Sequence, residues 1–255
     1  MQQDRKAISG LIITYNEEKN IRKVLECFDF CDEIIVVDSY STDKTVEIAE
    51  KFSHVKIVYH HFEDFTKQRN LAVSIAKNDW ILFLDGDERL TPELKNEIIT
   101  TINNDKAKDA YYFYRVFFIG NKRINFSGTQ NDKNFRLFKK SKAQYIDNKK
   151  VHETLNVNGS IGILKNKLLH YSFENYTAFR EKMLSYGKLK GKELSEKGTS
   201  YSLLKQWSKT IFKFVKTFIL KFGFLDGKNG LEISYLQSLY VHETYESLKK
   251  ENIKK

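Results

Sequence analysis

The apolar stretch WILFL is followed directly by an acidic segment, Asp85, Gly86, Asp87 and Glu88. The glycine between the two aspartates permits a tight turn. Carboxylates at this spacing can share a hard divalent cation, and such a cation keeps open positions for the oxygen atoms of a diphosphate. Because Asp-Gly is also a common pair in solvated turns, the tetrapeptide alone fits either a metal site or an ordinary turn.

Two earlier apolar stretches also end in polar residues. The first leads into Thr14, Tyr15 and Glu17, of which Thr14 and Tyr15 could frame a nucleotide base. The second ends in Asp38 and Ser39, and the Asp38 carboxylate could accept a hydrogen bond from a base or a ribose. Backbone N–H groups at the start of the following helix would suit an anion. The alternative for these polar residues is that they cap helices and lie in first turns.

Two arginines and two histidines are further candidates. Arg69 could bind phosphate or lie on a solvated helix face, and Arg136 could bind a diphosphate or an acceptor phosphate or form an ion pair within a strand. A single histidine in a strand is usually a satisfied core or edge residue, which is the alternative for His152 and His170. His170 could instead approach a metal or a phosphate.

The spacing of apolar residues predicts the elements that position these side chains. Continuous apolar runs of strand length alternate with segments whose apolar residues recur at helical spacing. This order indicates a mostly parallel sheet covered on both faces, with the strand ends sharing one rim where ligands bind. The predicted strands are 8–14, 33–38, 56–60 and 80–88, and the predicted helices include 17–29 (capped by Asn16 or Thr14), 65–77 and one starting at Thr91-Pro92. Short strands after residue 105 complete a mixed sheet, and 175–197 and 203–248 are predicted as helices.

Composition excludes several classes of protein. The chain has 255 residues, 30% of them charged and 41% hydrophobic, which argues against wholesale disorder. One proline and two cysteines exclude a collagen-like chain and a disulfide scaffold, and Cys27 and Cys31 are expected to be reduced. The formal charge is −6 over residues 1–100 and +16 over the remainder, so the second part is expected to meet an anion. Without a recognised nucleic-acid-binding module, nucleic acid is not expected as that partner.

Four segments in combination resemble the family-2 glycosyltransferases of the GT-A fold. They are ITYNEEKNI, IIVVDSYSTDKTVEIA, KQRNLAVSIAKNDWILFLDGDE and VHETL, which follow one another within the first 155 residues. LLHYSF and FGFLDGKNGL resemble, more weakly, the branch that builds lipopolysaccharide core by adding a sugar, typically glucose, to an inner-core heptose. The resemblance implies an α/β, Rossmann-like GT-A fold with a mixed, mostly parallel sheet and a C-terminal helical extension. It also implies an inverting enzyme that uses a nucleotide-diphosphate sugar, expected to be a UDP-sugar, with Mg²⁺ or Mn²⁺.

The resemblance implies roles for individual residues. Inverting transfer needs a general base that deprotonates the acceptor hydroxyl, and Glu153 in VHET is the expected base, a surface carboxylate being the alternative. Asp87 would be the direct metal ligand and act in catalysis, and Tyr40 stands where many members have glycine or a small residue. The residues expected to bind nucleotide are Thr14, Tyr15, Glu17, Asp38, Ser39, Arg69, Asp85 and Gly86; those expected near the metal are Asp87, Asp85 and His170; those expected near the acceptor or its phosphate are Arg136 and His152.

The C-terminal part contains a basic amphipathic segment, LLKQWSKTIFKFVKTFILKFGF, at 203–224. Lys205, Lys209 and Lys213 share one face, and Trp207 and Phe214 belong to the opposite, aromatic and apolar face. Such a helix can lie in a membrane interface, and the alternative is a helix docked on the domain with a solvated lysine face. The final helix is expected to pack back on it or to form a contact in a homo-oligomer.

These observations define the expected organisation and the alternatives. Residues 1–174 are expected to form the glycosyltransferase domain, with a nucleotide-binding half (1–104) and an acceptor-side half (105–174), and residues 175–255 a membrane-proximal helical region. With neither a signal peptide nor a spanning segment in the sequence, we expect a cytoplasmic protein, peripheral on the inner face of the membrane, that acts on a lipid-linked lipopolysaccharide or lipooligosaccharide core. The alternatives are a polyprenyl-phosphate, capsular or protein-linked glycan acceptor, a sugar nucleotidyltransferase, and a non-catalytic nucleotide-binding membrane module.

Overall fold

The computed structural model describes residues 5–146 and 154–254, so His152 and Glu153 lie outside the described residues. The chain divides into two compact units. The first contains the chain up to Arg115 together with Lys133–His170, and the second contains Val116–Asp132 and the chain from Tyr171 onward. The predicted boundary after residue 174 separates a catalytic domain from a membrane-proximal region, which is a division by function and not by compactness, so it stays a prediction.

Twelve strands are formed by the described residues. They are β1 (Ile8–Thr14), β2 (Glu33–Asp38), β3 (Val55–Tyr59), β4 (Trp80–Phe83), β5 (Glu88–Arg89), β6 (Ala110–Ile119), β7 (Lys122–Ile124), β8 (Lys133–Lys139), β9 (Ala143–Ile146), β10 (Thr154–Val157), β11 (Ile161–Ile163) and β12 (Leu168–Phe173). The main sheet has the order β3-β2-β1-β4-β8-β6-β12-β5, and β9 pairs with β10 in a separate antiparallel ribbon. The pairs β1–β2, β1–β4 and β2–β3 are parallel, whereas β8 runs antiparallel to β4 and β6.

Helices accompany the sheet in the alternation that the sequence predicts. They are α1 (Ile21–Leu25), α2 (Thr45–Ala49), α3 (Phe65–Ile75), α4 (Pro92–Asn103), α5 (Tyr176–Glu196), α6 (Leu203–Val215) and α7 (Gly227–Ile253). Thr91 caps α4 by accepting a hydrogen bond from the Leu94 N–H, and Pro92 occupies its first turn, as predicted.

Both faces of the parallel strands are buried. Along β1, Ile8 and Ile12 belong to a core that includes Phe28 and α4, whereas Leu11 belongs to a second core that includes Ala72 of α3. Successive side chains of a strand point to opposite faces, so an uninterrupted apolar strand needs helices on both sides. The predicted mixed, mostly parallel α/β sheet with a C-terminal helical extension is therefore confirmed.

The predicted bounds of two elements are wrong. The helix expected over 17–29 is only α1 followed by a 3₁₀ turn at Glu26–Phe28, and neither Thr14 nor Asn16 caps it. Thr14 instead donates to the Asp38 carboxylate, and Asn16 has a φ of 55° and accepts a hydrogen bond from the Thr42 N–H. The strand expected over 80–88 ends at Phe83, because the acidic turn reverses the chain before β5.

The second unit has its own small core, formed by Ile119, Ile124, Phe179, Ile233 and Leu236. Its helices α5 and α7 approach closely at Gly187 and Gly191 of α5, where an added Cβ would lie 2.8 Å from Glu243 Cβ and 2.5 Å from Ser247 Cβ, respectively. The predicted helical regions are confirmed, although a π-helical turn at Lys216–Leu220 and a 3₁₀ turn at Gly223–Asp226 separate α6 from α7. Among the described residues, none of the helices combines the length and the apolar composition needed to cross a membrane.

Candidate active site

The loops that follow β1 and β2 are joined through Asp38. This buried carboxylate accepts hydrogen bonds from Thr14 Oγ1 (2.9 Å), the Ser41 N–H (2.8 Å) and Ser41 Oγ (2.6 Å). Farther along, Thr45 Oγ1 accepts from the Glu17 N–H at 2.7 Å. The structure thus brings the first two predicted polar clusters together at one rim, where Asp38 holds the two loops in register.

Aromatic side chains stand exposed at this rim. Tyr15 is 60% and Tyr40 47% exposed, and Tyr40 stacks on His61 with ring centroids 4.2 Å apart. Tyr40 adopts a φ of 61°, in the left-handed region that favours glycine. The position where the resemblance led us to expect glycine or a small residue thus has a left-handed backbone in this chain and carries an aromatic ring.

The segment Gln68-Arg69-Asn70 of α3 contacts three different parts of the site. Gln68 is fully buried and donates to Ser39 Oγ at 2.6 Å, which fixes that predicted nucleotide contact. Asn70 exchanges two hydrogen bonds with the backbone of Tyr145, at 2.8 and 3.1 Å. Arg69 Nη2 donates to Asp85 Oδ1 at 2.7 Å. Consecutive helical residues point in different directions, so one short motif ties α3 to the loops that follow β2 and β4 and to strand β9.

Asp85 lies between two guanidinium groups. Arg69 binds one of its oxygens and Arg136 Nη2 binds the other. Burial opposes ionisation of this carboxyl group, but the charges of Arg136 and Arg69 outweigh burial and hold the pKa of Asp85 well below its usual range. Asp85 is therefore an ionised and firmly oriented carboxylate, and the arginines predicted as phosphate contacts are both paired with it.

Glu88 extends this network and was not among the predicted site residues. It is fully buried and binds Arg136 Nε at 2.7 Å, and Arg115 Nη1 lies 3.2 Å from its other oxygen. An arginine inside the aromatic strand β6 was the signal that could have revealed it, because a charge in an apolar strand needs a buried partner. The network holds the turn Asp85–Glu88 rigidly against β8.

Asp87 faces away from this network and toward His170. The Asp87 carboxylate lies 3.2 Å from His170 Nε2. Glu17 reaches the same turn: a Cβ added at Gly86 would lie 3.0 Å from its carboxyl carbon. Burial raises the pKa of Glu17, and the charge of Asp87 raises it further, although a hydrogen bond from Asn20 opposes both. The first and third predicted clusters therefore meet at Gly86 and Asp87.

These residues also show where a divalent cation would fit. No group of three His, Cys, Asp or Glu side chains suited to a metal occurs in the described ranges 5–146 and 154–254. Both oxygens of Asp85 are bound to arginines, whereas Asp87 and His170 form a pair of suitable donors. Mg²⁺ is commonly held by one or two carboxylates together with substrate phosphates, so Asp87, with His170 beside it, fits a cation completed by a diphosphate.

A cavity of about 280 Å³ opens beside Asp85. Arg69 and Arg136 line it, and so does Thr154, the residue that follows Glu153 in the chain. The remaining lining residues are mostly aromatic and polar: Tyr112, Lys133, Asn134, Phe135, Tyr145 and Leu155. A partly enclosed polar cavity with aromatic walls has the character of a small-molecule site.

The predicted C-terminal residues belong to the second unit. Lys205, Trp207 and Lys209 are exposed on α6, whereas Lys213 and Phe214 are half-buried, so the predicted set does not form a single solvent-facing surface. Cys27 and Cys31 are free thiols, as expected, and burial raises the pKa of both.

Residues 9–168 match the family model for glycosyl transferase family 2, which is more than half of the chain. This protein therefore belongs to glycosyltransferase family 2. It is 30% identical over 241 residues to an uncharacterized glycosyltransferase of Rickettsia typhi, which spans 88% of this chain and 80% of that protein. It is also 28% identical over 173 residues to the lipopolysaccharide core biosynthesis glycosyltransferase LpsC of Rhizobium meliloti, covering 64% of this chain and 63% of LpsC.

Solved structures support the fold assignment. The crystal structure of residues 1–349 of TarS from S. aureus superposes with a TM-score of 0.51 at 16% identity, covering 98% of this chain and 92% of that chain. The same part of TarS in complex with UDP has a TM-score of 0.50 at 15% identity, with the same coverage. At this level of identity the comparison shows the shared α/β architecture.

Proposed function

We propose that this glycosyltransferase inverts the anomeric centre and transfers a hexose, glucose being expected, from a UDP-sugar to the inner core of lipopolysaccharide or lipooligosaccharide. The observation that carries the proposal is the cavity lined by Asp85 and Thr154. A donor-side carboxylate and the residue next to the expected base thus border one space. The similarity to LpsC supports the choice of acceptor, and the UDP complex of TarS supports the choice of nucleotide.

In the proposed reaction, each part of the site has a distinct task. The exposed rings of Tyr15 and Tyr40 offer stacking surfaces to a base, and Asp38 and Ser39 lie in the loop beside them. Asp85, held ionised by two arginines, accepts hydrogen bonds from hydroxyl groups of the donor. Preorganised charges of this kind need no rearrangement when the bond to the leaving group breaks.

Glu153 removes the proton of the acceptor hydroxyl, whose oxygen attacks the anomeric carbon while the bond to the diphosphate breaks and UDP leaves. Asp87 and His170 would hold Mg²⁺ or Mn²⁺, which when bound neutralises charge that develops on the leaving diphosphate. Because the acceptor is lipid-linked, we place the enzyme at the inner face of the cytoplasmic membrane as a peripheral protein.

The test separates nucleotide binding from transfer. Glu153→Gln should bind UDP normally but transfer sugar about 10²- to 10⁴-fold more slowly, since a general base contributes this much. Asp87→Asn should lose the increase in UDP affinity that Mn²⁺ gives. Exposed carboxylates away from the site supply matched controls, Glu50→Gln and Asp105→Asn, which should behave as the wild type.

The assay is titration calorimetry with UDP, with and without Mn²⁺, followed by transfer from radiolabelled UDP-sugars to purified acceptors. Full transfer by Glu153→Gln would contradict the mechanism. Transfer to a polyprenyl phosphate, or to a capsular or protein-linked glycan, with none to the lipopolysaccharide core would contradict the acceptor and leave the class of reaction intact. UDP binding with no transfer to any acceptor would favour the non-catalytic module.

A further inference from the structure

Exposed apolar side chains are concentrated in one short segment of the second unit. Of the 23 large apolar side chains that are exposed among the described residues, ten lie between Leu203 and Leu225. We call these ten the apolar ridge: Leu203, Leu204, Trp207, Ile211, Phe212, Ile219, Leu220, Phe222, Phe224 and Leu225. Single exposed apolar residues are ordinary, but ten of them within one short segment are typical of an interaction surface.

Helix α6 packs on the protein through its polar side. The residues facing inward are Gln206, Thr210, Lys213 and Thr217, which recur at helical spacing. Gln206 is 1% exposed and donates to Glu246 Oε1 of α7 at 2.7 Å. A helix docked on a domain normally buries its apolar face. Phe214 and Val215 are half-buried, but the other five apolar side chains of α6 (Leu203, Leu204, Trp207, Ile211 and Phe212) are exposed, so docking on this unit explains only a small part of the amphipathic pattern.

The turns after α6 continue the ridge. Ile219 and Leu220 in the π-helical turn and Phe224 and Leu225 in the 3₁₀ turn are all exposed by about half or more. Between them, Phe222 has a φ of 58°, which is uncommon for a bulky side chain. The fold thus keeps a strained backbone at a position where an aromatic ring faces outward.

The charge around the ridge has one sign. Residues 198–225 contain five lysines and no acidic residue. Burial lowers the pKa of Lys213, and the neighbouring charges of Lys221 and Lys216 lower it further, so these lysines repel one another. In a symmetric dimer through this surface the same lysines would face each other without carboxylates from the segment. An anionic partner is therefore favoured over a second copy of the chain.

We propose that the apolar ridge inserts into the anionic leaflet of a lipid bilayer, with the exposed Lys205 and Lys209 of α6 at the headgroups. The inference deepens the proposed function, on whose membrane location it rests, by naming the surface that makes the contact. Apolar side chains enter the acyl boundary, long lysine side chains extend toward phosphates, and the Trp207 ring suits the interface. The inward side of α6, with Gln206, Thr210 and the half-buried Lys213, stays docked on the protein.

The two tryptophans make the test specific. Trp80 is buried in the first unit and Trp207 is 51% exposed, so a change in emission on vesicle binding reports on the ridge. Wild type should sediment with phosphatidylcholine vesicles that contain phosphatidylglycerol, with a blue shift and with quenching by brominated lipid. Trp207→Phe should remove the fluorescence change.

The decisive variant replaces Leu204, Ile211 and Phe212 by serine. It should bind the anionic vesicles at least tenfold more weakly while keeping its melting temperature, because these side chains touch little protein. The matched control is Tyr186→Ser with Leu189→Ser, which removes exposed apolar groups from α5 of the same unit and should bind as the wild type. Replacing Lys205 and Lys209 by glutamine should reduce the preference for phosphatidylglycerol.

Several outcomes would overturn the inference. They are wild type that stays in the supernatant, vesicle binding unaffected by the serine variant, and a dimer that the serine variant dissociates without any lipid binding. UDP affinity is measured in parallel on every variant. Vesicle binding by a protein that neither binds UDP nor transfers sugar would refute the proposed function alone, whereas transfer to a soluble acceptor without vesicle binding would refute the ridge alone.

Discussion

Replacing Arg136 by methionine tests the ionic network that holds the acidic turn. The Arg136 side chain is 4% exposed and binds both Asp85 and Glu88, the latter fully buried. Methionine keeps much of the volume but removes the charge, so the main effect is to leave two carboxylates without their shared partner. Breaking a buried ion pair from one side costs about 3–5 kcal/mol. We expect the free energy of unfolding to fall by that amount.

Urea denaturation followed by far-UV circular dichroism measures the change. The control is Lys51→Met, which removes an exposed ion pair with Glu47 at 2.9 Å and should change the free energy of unfolding by less than about 1 kcal/mol. The double variant Arg136→Met with Glu88→Gln tests the coupling. Glu88→Gln removes a charge that Arg136→Met leaves without its partner, so the loss of unfolding free energy in the double variant should be smaller than the sum of the single losses by about 0.5–3 kcal/mol.

A loss below about 1 kcal/mol for Arg136→Met would refute this reasoning. It would mean that water or protonation already compensates the carboxylates, so that the arginine does not hold the turn. Additive losses in the double variant would refute the direct pairing with Glu88. Either result would also remove the argument that Asp85 is firmly oriented for the donor.

Two further predictions concern pH and packing. The pKa of Asp85 is lowered in the folded state, so its contribution to stability is complete above about pH 4 and is lost as the pH falls further; urea midpoints between about pH 5 and pH 3 should fall, and less steeply in Arg136→Met. In α5, a Cβ at Gly191 would lie 2.5 Å from Ser247 Cβ, so Gly191→Ala should lower the free energy of unfolding by about 1–3 kcal/mol, while Lys192→Ala on the exposed side should change it by less than about 0.5 kcal/mol in the same denaturation assay.

The sequence was most informative where the signal is local and repeated. β1 and β2 have the predicted bounds, because an unbroken apolar run of strand length between helical patterns leaves few alternatives. The meeting of the polar residues that follow β1, β2 and β4 at one edge of the sheet was also predictable, because these strands are parallel. Element ends that depend on tertiary contacts were predicted less well: Asn16 leaves the helical region to bind Thr42, and no local propensity encodes that partner.

The partners of charged residues were beyond the sequence. The DGDE segment is visible as an acidic turn, yet Asp85 and Glu88 point into a network with arginines, whereas Asp87 points toward His170. The spacing of the two aspartates predicted that both would bind one metal. Side chains at neighbouring positions of a turn point in different directions, and spacing alone does not show which way each one points. Arg136 lies 51 residues from Asp85, and its partner emerges only when β8 pairs with β4.

Amphipathic pattern and docking face are separate properties, and α6 shows why. The alternation of lysines with apolar residues predicts a helix with two unlike faces, but not which face meets the protein. The inward side of α6 and of the π-helical turn that follows it carries a polar stripe that runs from Gln206 to Thr217, both 1% exposed. The hydrophobic effect favours packing of a helix of this sequence on the protein through its apolar side. This unit instead holds the helix through polar contacts such as the hydrogen bond from Gln206 to Glu246, and the exposed apolar side chains that result are the basis for proposing an external apolar partner.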